Sequence, residues 1–380
     1  MAGAFCLQHV ADIRLIASYQ FFRILVSIMA ELSETFSVQH WFNSYSTNNL
    51  KVTIMRVLVL LLSIIVSNLI GAENGDKPSY FNQTAPDTIP LLFAPGLIST
   101  NMNEFNATFS PDGNEFYFSI RTNNPIMVIC EMHKNEKGWS NPELMSFSDG
   151  KYMDADPFLS KDGNTLYFCS TRPAPGRNSD DWNIWKVQKT KNGWGEPEYM
   201  EFNTEKNEMY VSLSENGNVY YHCDHESMSN TLDINHTDIY CCRFADGHYS
   251  PSEKINAVSS AFAEWDPFIS PDESYLIFTS TRPGGYGSGD MYISFKDEKD
   301  NWSEPVNMGP VINSRAQDYC PNLSPDGRYL FFSSYRSKLL QEGLNYTKLK
   351  QYHTEPQSGT GGDIYWVKSS IIEKYQSIIK

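Results

Sequence analysis

A-E-W-D-P-F-I-S-P-D-E-S-Y-L-I-F-T-S-T-R-P-G-G-Y-G-S-G-D-M-Y-I-S-F-K occupies residues 263–296, and N-W-S-E-P-V-N-M-G follows a charged turn at residues 301–309. The two pieces read as four short strands with turn chemistry between each pair. The same unit recurs four more times along the chain. Its clearest anchor is the serine before the first tight turn: Ser110, Ser160, Ser214, Ser270 and Ser324, at intervals of 50, 54, 56 and 54 residues. A period near 50 with four strands per unit marks the blade of a β-propeller.

The anchor turns are S-P-D-G, S-K-D-G, S-E-N-G, S-P-D-E and S-P-D-G. Pro presets φ, Asp bonds its own backbone, and Gly takes the left-handed position. The second strands that follow (F-Y-F-S, L-Y-F-C, V-Y-Y-H, L-I-F-T and L-F-F-S) are apolar runs rather than alternations, as suits strands covered on both faces. Third strands begin near Ile126, Asn183, Asp238, Asp290 and Asp363. Fourth strands are expected to begin with the aromatic residue that precedes a proline, at Trp139, Trp194, Tyr249 and Trp302. An outer edge is where proline is tolerated.

The fifth unit ends at its third strand near Lys368. Its missing strand has a counterpart at the other end of the domain, where Ile89–Pro95 (I-P-L-L-F-A-P) matches Glu304–Pro310 (E-P-V-N-M-G-P). The sequence therefore predicts an all-β, five-bladed propeller of four-stranded antiparallel blades over residues 88–368, closed by its own N-terminal strand. Closure removes the open edges that a sheet must otherwise protect. Six blades, the alternative, would require a unit that the sequence does not contain. Residues 369–380 place Ile371, Ile372, Tyr375, Ile378 and Ile379 on one helical face, which predicts a short helix packed on the ring.

Upstream, Met55-Arg56 precedes an apolar run that ends at Ala72, a signal-peptide pattern. Residues 1–54 then read as an upstream extension, 55–72 as the signal and 73–87 as a linker. An exported protein, periplasmic or secreted, with no integral membrane domain after signal removal is expected. The net charge of -15 lacks the basic footprint that nucleic-acid binding needs. Seven cysteines are too few for a disulfide scaffold of this size, and without a C-x-x-C pair a structural zinc site is not expected.

The set P-x-x-S-P-D-G-x-x-L-x-F-x-S-x-R, G-x-D-I-Y and W-S-x-P resembles the TolB-like, WD-related propeller repeats of exported bacterial proteins, over about residues 88–368. The resemblance implies the fold. TolB itself differs in carrying an α/β domain before a six-bladed ring.

Six residues before each anchor serine stands a carboxylate: Glu104, Asp154, Glu208, Glu264 and Asp318. Four second strands end in arginine, at Arg121, Arg172, Arg282 and Arg336, and the third repeat has His225 nearby. Acid and arginine fall on the same face of the ring, so they read as blade-locking pairs. The other reading is a carboxylate ring at the channel mouth, augmented by Asp156 and Asp266, that holds a basic ligand group or a cation, with oxygen ligands suiting calcium. His222, Cys223, Asp224, His225, Glu226, Asp233 and His236 crowd the third repeat at a spacing that matches no metal motif. Loops after the second strands share the acidic face and carry Trp182, Tyr286, Tyr346 and Tyr352, which suit stacking on a sugar or peptide. No G-x-S-x-G, H-E-x-x-H or phosphate loop is present. The expectation is a binding module for a protein or glycan ligand, needing no cofactor unless calcium sits at the channel mouth. A carbohydrate-active hydrolase or lyase using a pair such as Asp154 and Glu264 is the alternative.

Overall fold

In a computed structural model of the chain, the described residues are 80–122, 124, 126–177, 181–224, 236–338, 343–358 and 361–379, all within one compact unit, Pro78–Lys380. The signal-like segment and residues 1–54 lie outside them. Five antiparallel sheets of four radial strands form the unit, and in blades 1 to 4 the strands run outward from the channel in chain order. Blade 1 is Asn103–Phe109, Glu115–Arg121, Met127–Asn135 and Glu143–Leu144, and blade 2 is Asp154–Leu159, Thr165–Ser170, Asn183–Thr190 and Glu198–Tyr199. Blade 3 is Glu208–Leu213, Val219–Cys223, Asp238–Cys242 and Glu253–Lys254; blade 4 is Glu264–Ile269, Tyr275–Ser280, Asp290–Phe295 and Val306–Asn307.

Blade 5 supplies Asp318–Leu323, Tyr329–Ser334 and Asp363–Lys368, and its outer strand is Leu91–Leu92. Leu91 pairs with Trp366 and Leu92 with Tyr365. The expected closure is therefore present, and five blades complete the ring. Next to this strand Phe93 is fully buried among Phe109, Phe116, Phe331 and Trp366, with ring centroids 4.9–6.1 Å away. Tyr80 and Phe81, in the stretch expected to be linker, also join this cluster: Tyr80 is buried, and Phe81 stacks on Trp139 at 4.2 Å.

The fourth strands differ from expectation. Trp139, Trp194 and Tyr249 sit in small hairpins at the ends of the third strands, and the fourth strand starts only after the proline. Proline lacks an N–H to continue the ladder, so pairing resumes past it.

The anchor turns form as their residues dictate. Ser110, Ser160 and Ser324 donate to Asp112, Asp162 and Asp326 at 2.6–2.7 Å. Gly113, Gly163, Gly217 and Gly327 have φ of 68–82°. In blade 4 the glycine position holds Glu273 at φ 58°, and its carboxylate is gripped by Asn218 at 2.6 Å and Lys296 at 2.9 Å. Those bonds offset the strain of a side chain in that region. At the C-terminus, helix Ile371–Ile379 buries Ile371, Ile372 and Tyr375 in a cluster with Ile277, Leu330 and Tyr365.

Phe93→Ala is expected to destabilise the ring by about 3–5 kcal/mol, because it opens a cavity beside the closing strand. Ile89→Ala, at a side chain 71% exposed, should stay within about 0.5 kcal/mol. Urea unfolding of both variants measures the contrast.

Candidate functional site

The repeated carboxylates are all buried, at 0–1% exposure. In blades 2, 4 and 5 they meet the expected arginine: Arg172–Asp154 at 2.7 Å, Arg282–Glu264 at 2.9 Å and Arg336–Asp318 at 2.7 Å. Each guanidinium also donates through Nε to a second-strand serine, Ser170, Ser280 or Ser334, at 2.9–3.1 Å. A second bond reaches the backbone oxygen of Phe147, Val258 or Ile312, and the cation lies over Phe168, Phe278 or Phe332. The arginine thus ties the connection between blades to the inner two strands of its own blade.

Blade 1 departs from the expected pairing. Arg121 comes one residue earlier than the other arginines, so Ile120 holds the serine register and Arg121 points the opposite way. It is exposed, and among the described residues no ion pair joins it to Glu104. A one-residue offset in a strand exchanges its faces. Glu104 instead accepts from the N–H and hydroxyl of Thr100, and Glu208 accepts likewise from Thr204. Ser260 does the same for Glu264. These hydroxyl residues belong to the site although no motif marks them; the signal for them is their place four residues before the acid. Desolvation is the largest influence on Glu104 and Glu208, and it raises the first to about 6 and the second to about 7. His225, the expected substitute in blade 3, lies outside the described residues.

Two residues beyond each repeated acid stands the ring that faces the channel: Asn106, Asp156, Tyr210, Asp266 and Cys320. All five have φ of 49–56°, and each first strand has a bulge there. A bulge turns the residue out of the ladder and frees its N–H. Four of these N–H groups donate to a side chain on the second strand of the preceding blade. Asn106 reaches Ser333 Oγ at 3.0 Å, Asp156 reaches Ser119 Oγ at 3.0 Å, Tyr210 reaches Cys169 Sγ at 2.9 Å, and Asp266 reaches His222 Nδ1 at 3.1 Å. In blade 5 Cys320 donates to Asp266 Oδ2 at 3.2 Å, while Thr279 Oγ1 donates to Asp318 O at 3.2 Å.

Asp156 and Asp266 therefore sit together inside the ring, 5% and 6% exposed, with Cys320 Sγ 3.9 Å from one and 3.4 Å from the other. Desolvation raises both acids, and for Asp266 repulsion by Asp156 adds to it. His222 is 3.7 Å from Asp266, but burial lowers it to about 3, so it stays neutral. These two aspartates, rather than Asp154 and Glu264, are the channel carboxyls; the latter pair is bound to arginine.

A cavity of about 200 Å³ opens above them on the loop-rich face, and every blade lines it: Arg121, Asp156, His222, Asp266 and Tyr335 each come from a different one. A larger cavity of about 500 Å³ lies at the turn end, walled by Phe158, Leu213, Phe268, Pro271 and Leu323. Of the two cavities, the one at the loop end holds the buried Asp156, His222 and Asp266. Of the loop aromatics, Tyr286 and Tyr346 are exposed, whereas Trp182 is buried and unable to stack on a ligand. Tyr352 donates to the oxygen of Lys338 within the long loop, beside helix Tyr346–His353.

Among the described residues no three His, Cys, Asp or Glu side chains come together as a metal-binding group. In the third repeat Asp224 accepts from the N–H and amide of Asn207 at 3.0 Å, and Glu226 and Asp233 lie outside the described residues. The six described cysteines are all buried.

No protein-family model and no curated protein matches the chain. Among solved structures it is similar to a putative TolB from Agrobacterium tumefaciens, with 18% identity and a TM-score of 0.41 over 63% of this chain and 73% of that one. It is also similar to TolB from Acinetobacter baumannii, at 14% and 0.41, over 70% of this chain and 57% of that one. A third likeness is to an alpha-L-arabinofuranosidase from Lactobacillus brevis, at 13% and 0.43, over 71% and 91%. The chain is a five-bladed propeller. Its own five sheets carry that statement, and no activity follows from likenesses of this size.

Arg282→Ala is expected to cost about 3 kcal/mol, since it leaves Glu264 buried beside an empty counter-charge position. Arg121→Ala should cost no more than about 0.5 kcal/mol. Chemical denaturation of the two variants decides between them. A pH series gives a further check. Glu104 and Glu208 are raised in the fold, so their stabilising effect is complete below the ordinary carboxylate range and is lost as pH rises through about 6–7. Turn acids such as Asp112 and Asp162 are lowered by hydrogen bonds, so their contribution is lost only as pH falls below that range. Stability should therefore fall from about pH 5 to about pH 8, and Glu208→Gln should flatten the slope.

Proposed function

We propose that this protein is an exported binding module, periplasmic or secreted, that takes a protein or glycan ligand at the loop-rich face of its propeller. The observation that carries this reading is the cavity at that end of the channel. All five blades wall it, yet its lining is the least repeated part of the ring. A polar floor with aromatic walls suits recognition of a single sugar ring or side chain. Tyr335, stacked on Tyr319 at 5.4 Å, lines this cavity as a flat apolar surface. Export is supported by the apolar run after Met55-Arg56. Among the described residues no helix is long and apolar enough to cross a membrane.

Carbohydrate hydrolysis is the second reading, and one observation favours it: Asp156 and Asp266, in blades 2 and 4, are channel acids that both lie beside Cys320 and breach the symmetry of the blades. Glycan-array and peptide-array binding, together with assays on chromogenic glycosides, separate the two. Binding without turnover, lost in Tyr335→Ala and kept in Pro271→Ala at the turn end, is the expected result. Turnover abolished by Asp156→Asn and Asp266→Asn would transfer the assignment to a hydrolase. Binding that survives Tyr335→Ala and fails in Pro271→Ala would place the ligand at the opposite end of the channel and overturn the proposal.

A further inference from the structure

The bulge position of each inner strand asks one thing of its residue: a left-handed backbone whose N–H reaches a neighbouring blade. Asparagine, among the side chains most at ease in that conformation, meets the demand at Asn106. Blades 2 and 4 instead hold Asp156 and Asp266, each more than nine-tenths buried. Burying two neighbouring acids is unfavourable, and nothing in the backbone geometry requires it.

The surroundings supply few donors, and among the described residues no lysine or arginine forms an ion pair with either acid. Asp156 has the amide of Asn106 at 3.4 Å and the thiol of Cys320 at 3.9 Å. Asp266 has the N–H and thiol of Cys320, at 3.2 and 3.4 Å. His222 uses Nδ1 to accept the N–H of Asp266, so that nitrogen cannot donate to the carboxylate. Arg121 lines the same cavity but is exposed.

Independently of the acids, Asn106 Oδ1 is buried without a hydrogen-bond partner. Its amide nitrogen lies 3.4 Å from Asp156 Oδ1, so the same side chain reaches the acid pair. A buried acceptor left unmade is costly, and native structures keep few of them. Three acceptors in one place, two of them able to carry charge, are complementary to a group with three N–H donors and a positive charge. A primary ammonium is that group. A guanidinium is broader and planar, and suits a bidentate fork better than a narrow channel floor.

We propose that the loop-face end of the channel binds a primary ammonium group of the ligand between Asp156 and Asp266, with Asn106 Oδ1 as third acceptor. This deepens the proposed function and depends on the loop-rich face being the ligand face. Two sources present such a group: a lysine side chain of a protein, or an amino sugar of a glycan. A cavity of about 200 Å³ suits either a lysine chain or a single ring.

Calorimetric titration of the intact protein with Nα-acetyl-lysine amide and with glucosamine tests the proposal, using the Nε-acetylated amide and N-acetylglucosamine as uncharged controls. One amine should bind, with its acetylated form at least about tenfold weaker, the loss of a charge-assisted contact. Lysine amide binding identifies a protein source, and glucosamine binding a glycan source. Asp156→Asn and Asp266→Asn should each weaken binding about tenfold or more, and Asn106→Leu should weaken it as well. The two Asn substitutions keep shape and left-handed preference, and unchanged thermal melts would exclude a folding defect. The proposal is overturned if neither amine binds, if the acetylated forms bind as well, or if both Asp variants bind normally. Should neutral glycans or peptides still bind and lose affinity in Tyr335→Ala, the ammonium site fails while the loop-face reading stands.

Discussion

The ring is held by hydrogen bonds that run between blades from backbone to side chain. Sheets packed face to face can slide, because apolar contact is not directional. The bulge in each inner strand removes that freedom: it turns one N–H sideways, and in four blades the preceding sheet answers with a polar atom at one register. Serine, cysteine, histidine and threonine all occupy that register, so acceptor or donor capacity matters there more than size. Left-handed φ at Tyr210 and Cys320 is strained for such side chains, and the bonds across the blades offset it.

Around that constraint the arginine locks and aromatic layers form a second, outer set of ties. Arg172, Arg282 and Arg336 each join a carboxylate, a serine, a backbone oxygen and an aromatic face. Their repetition argues that they serve the scaffold. The ring becomes individual only where the repeat fails: at the displaced Arg121, at Glu104 and Glu208, which threonines hold, and at the two channel aspartates. Departures from internal symmetry are where a repeat protein can differentiate a site from its frame.

Much of the architecture was legible in the chain because turns and apolar runs are local signals. The five Ser-centred turns set the period, and Ile89–Pro95 declared itself as the missing outer strand by likeness to Glu304–Pro310. The face shared by acids and arginines was legible too. Two features of the site were not. The offset of Arg121 needs strand register, which a one-residue difference in spacing hides. The channel ring needs the bulge, since without it Asp156 and Asp154 would point the same way. Between these extremes fall Thr100, Thr204 and Ser260. Their spacing from the acids is written in the chain, but hydroxyl residues are common in loops, and only the fold shows which of them turn back onto a carboxylate.

The closing strand has a consequence for how the molecule is made. Leu91 and Leu92 are synthesised before any blade, yet their partners Tyr365 and Trp366 belong to the final one. Pairing between such distant positions is slow, because the entropy of closing the long loop must be overcome first. Throughout translation the outer rim of the nascent ring stays unsealed, and the waiting strand meets its ladder partners only when the ribosome has nearly finished. Two half-made chains side by side offer each other the same vacancy. The seam that closes the finished wheel is therefore also the point most open to strand exchange between crowded nascent chains.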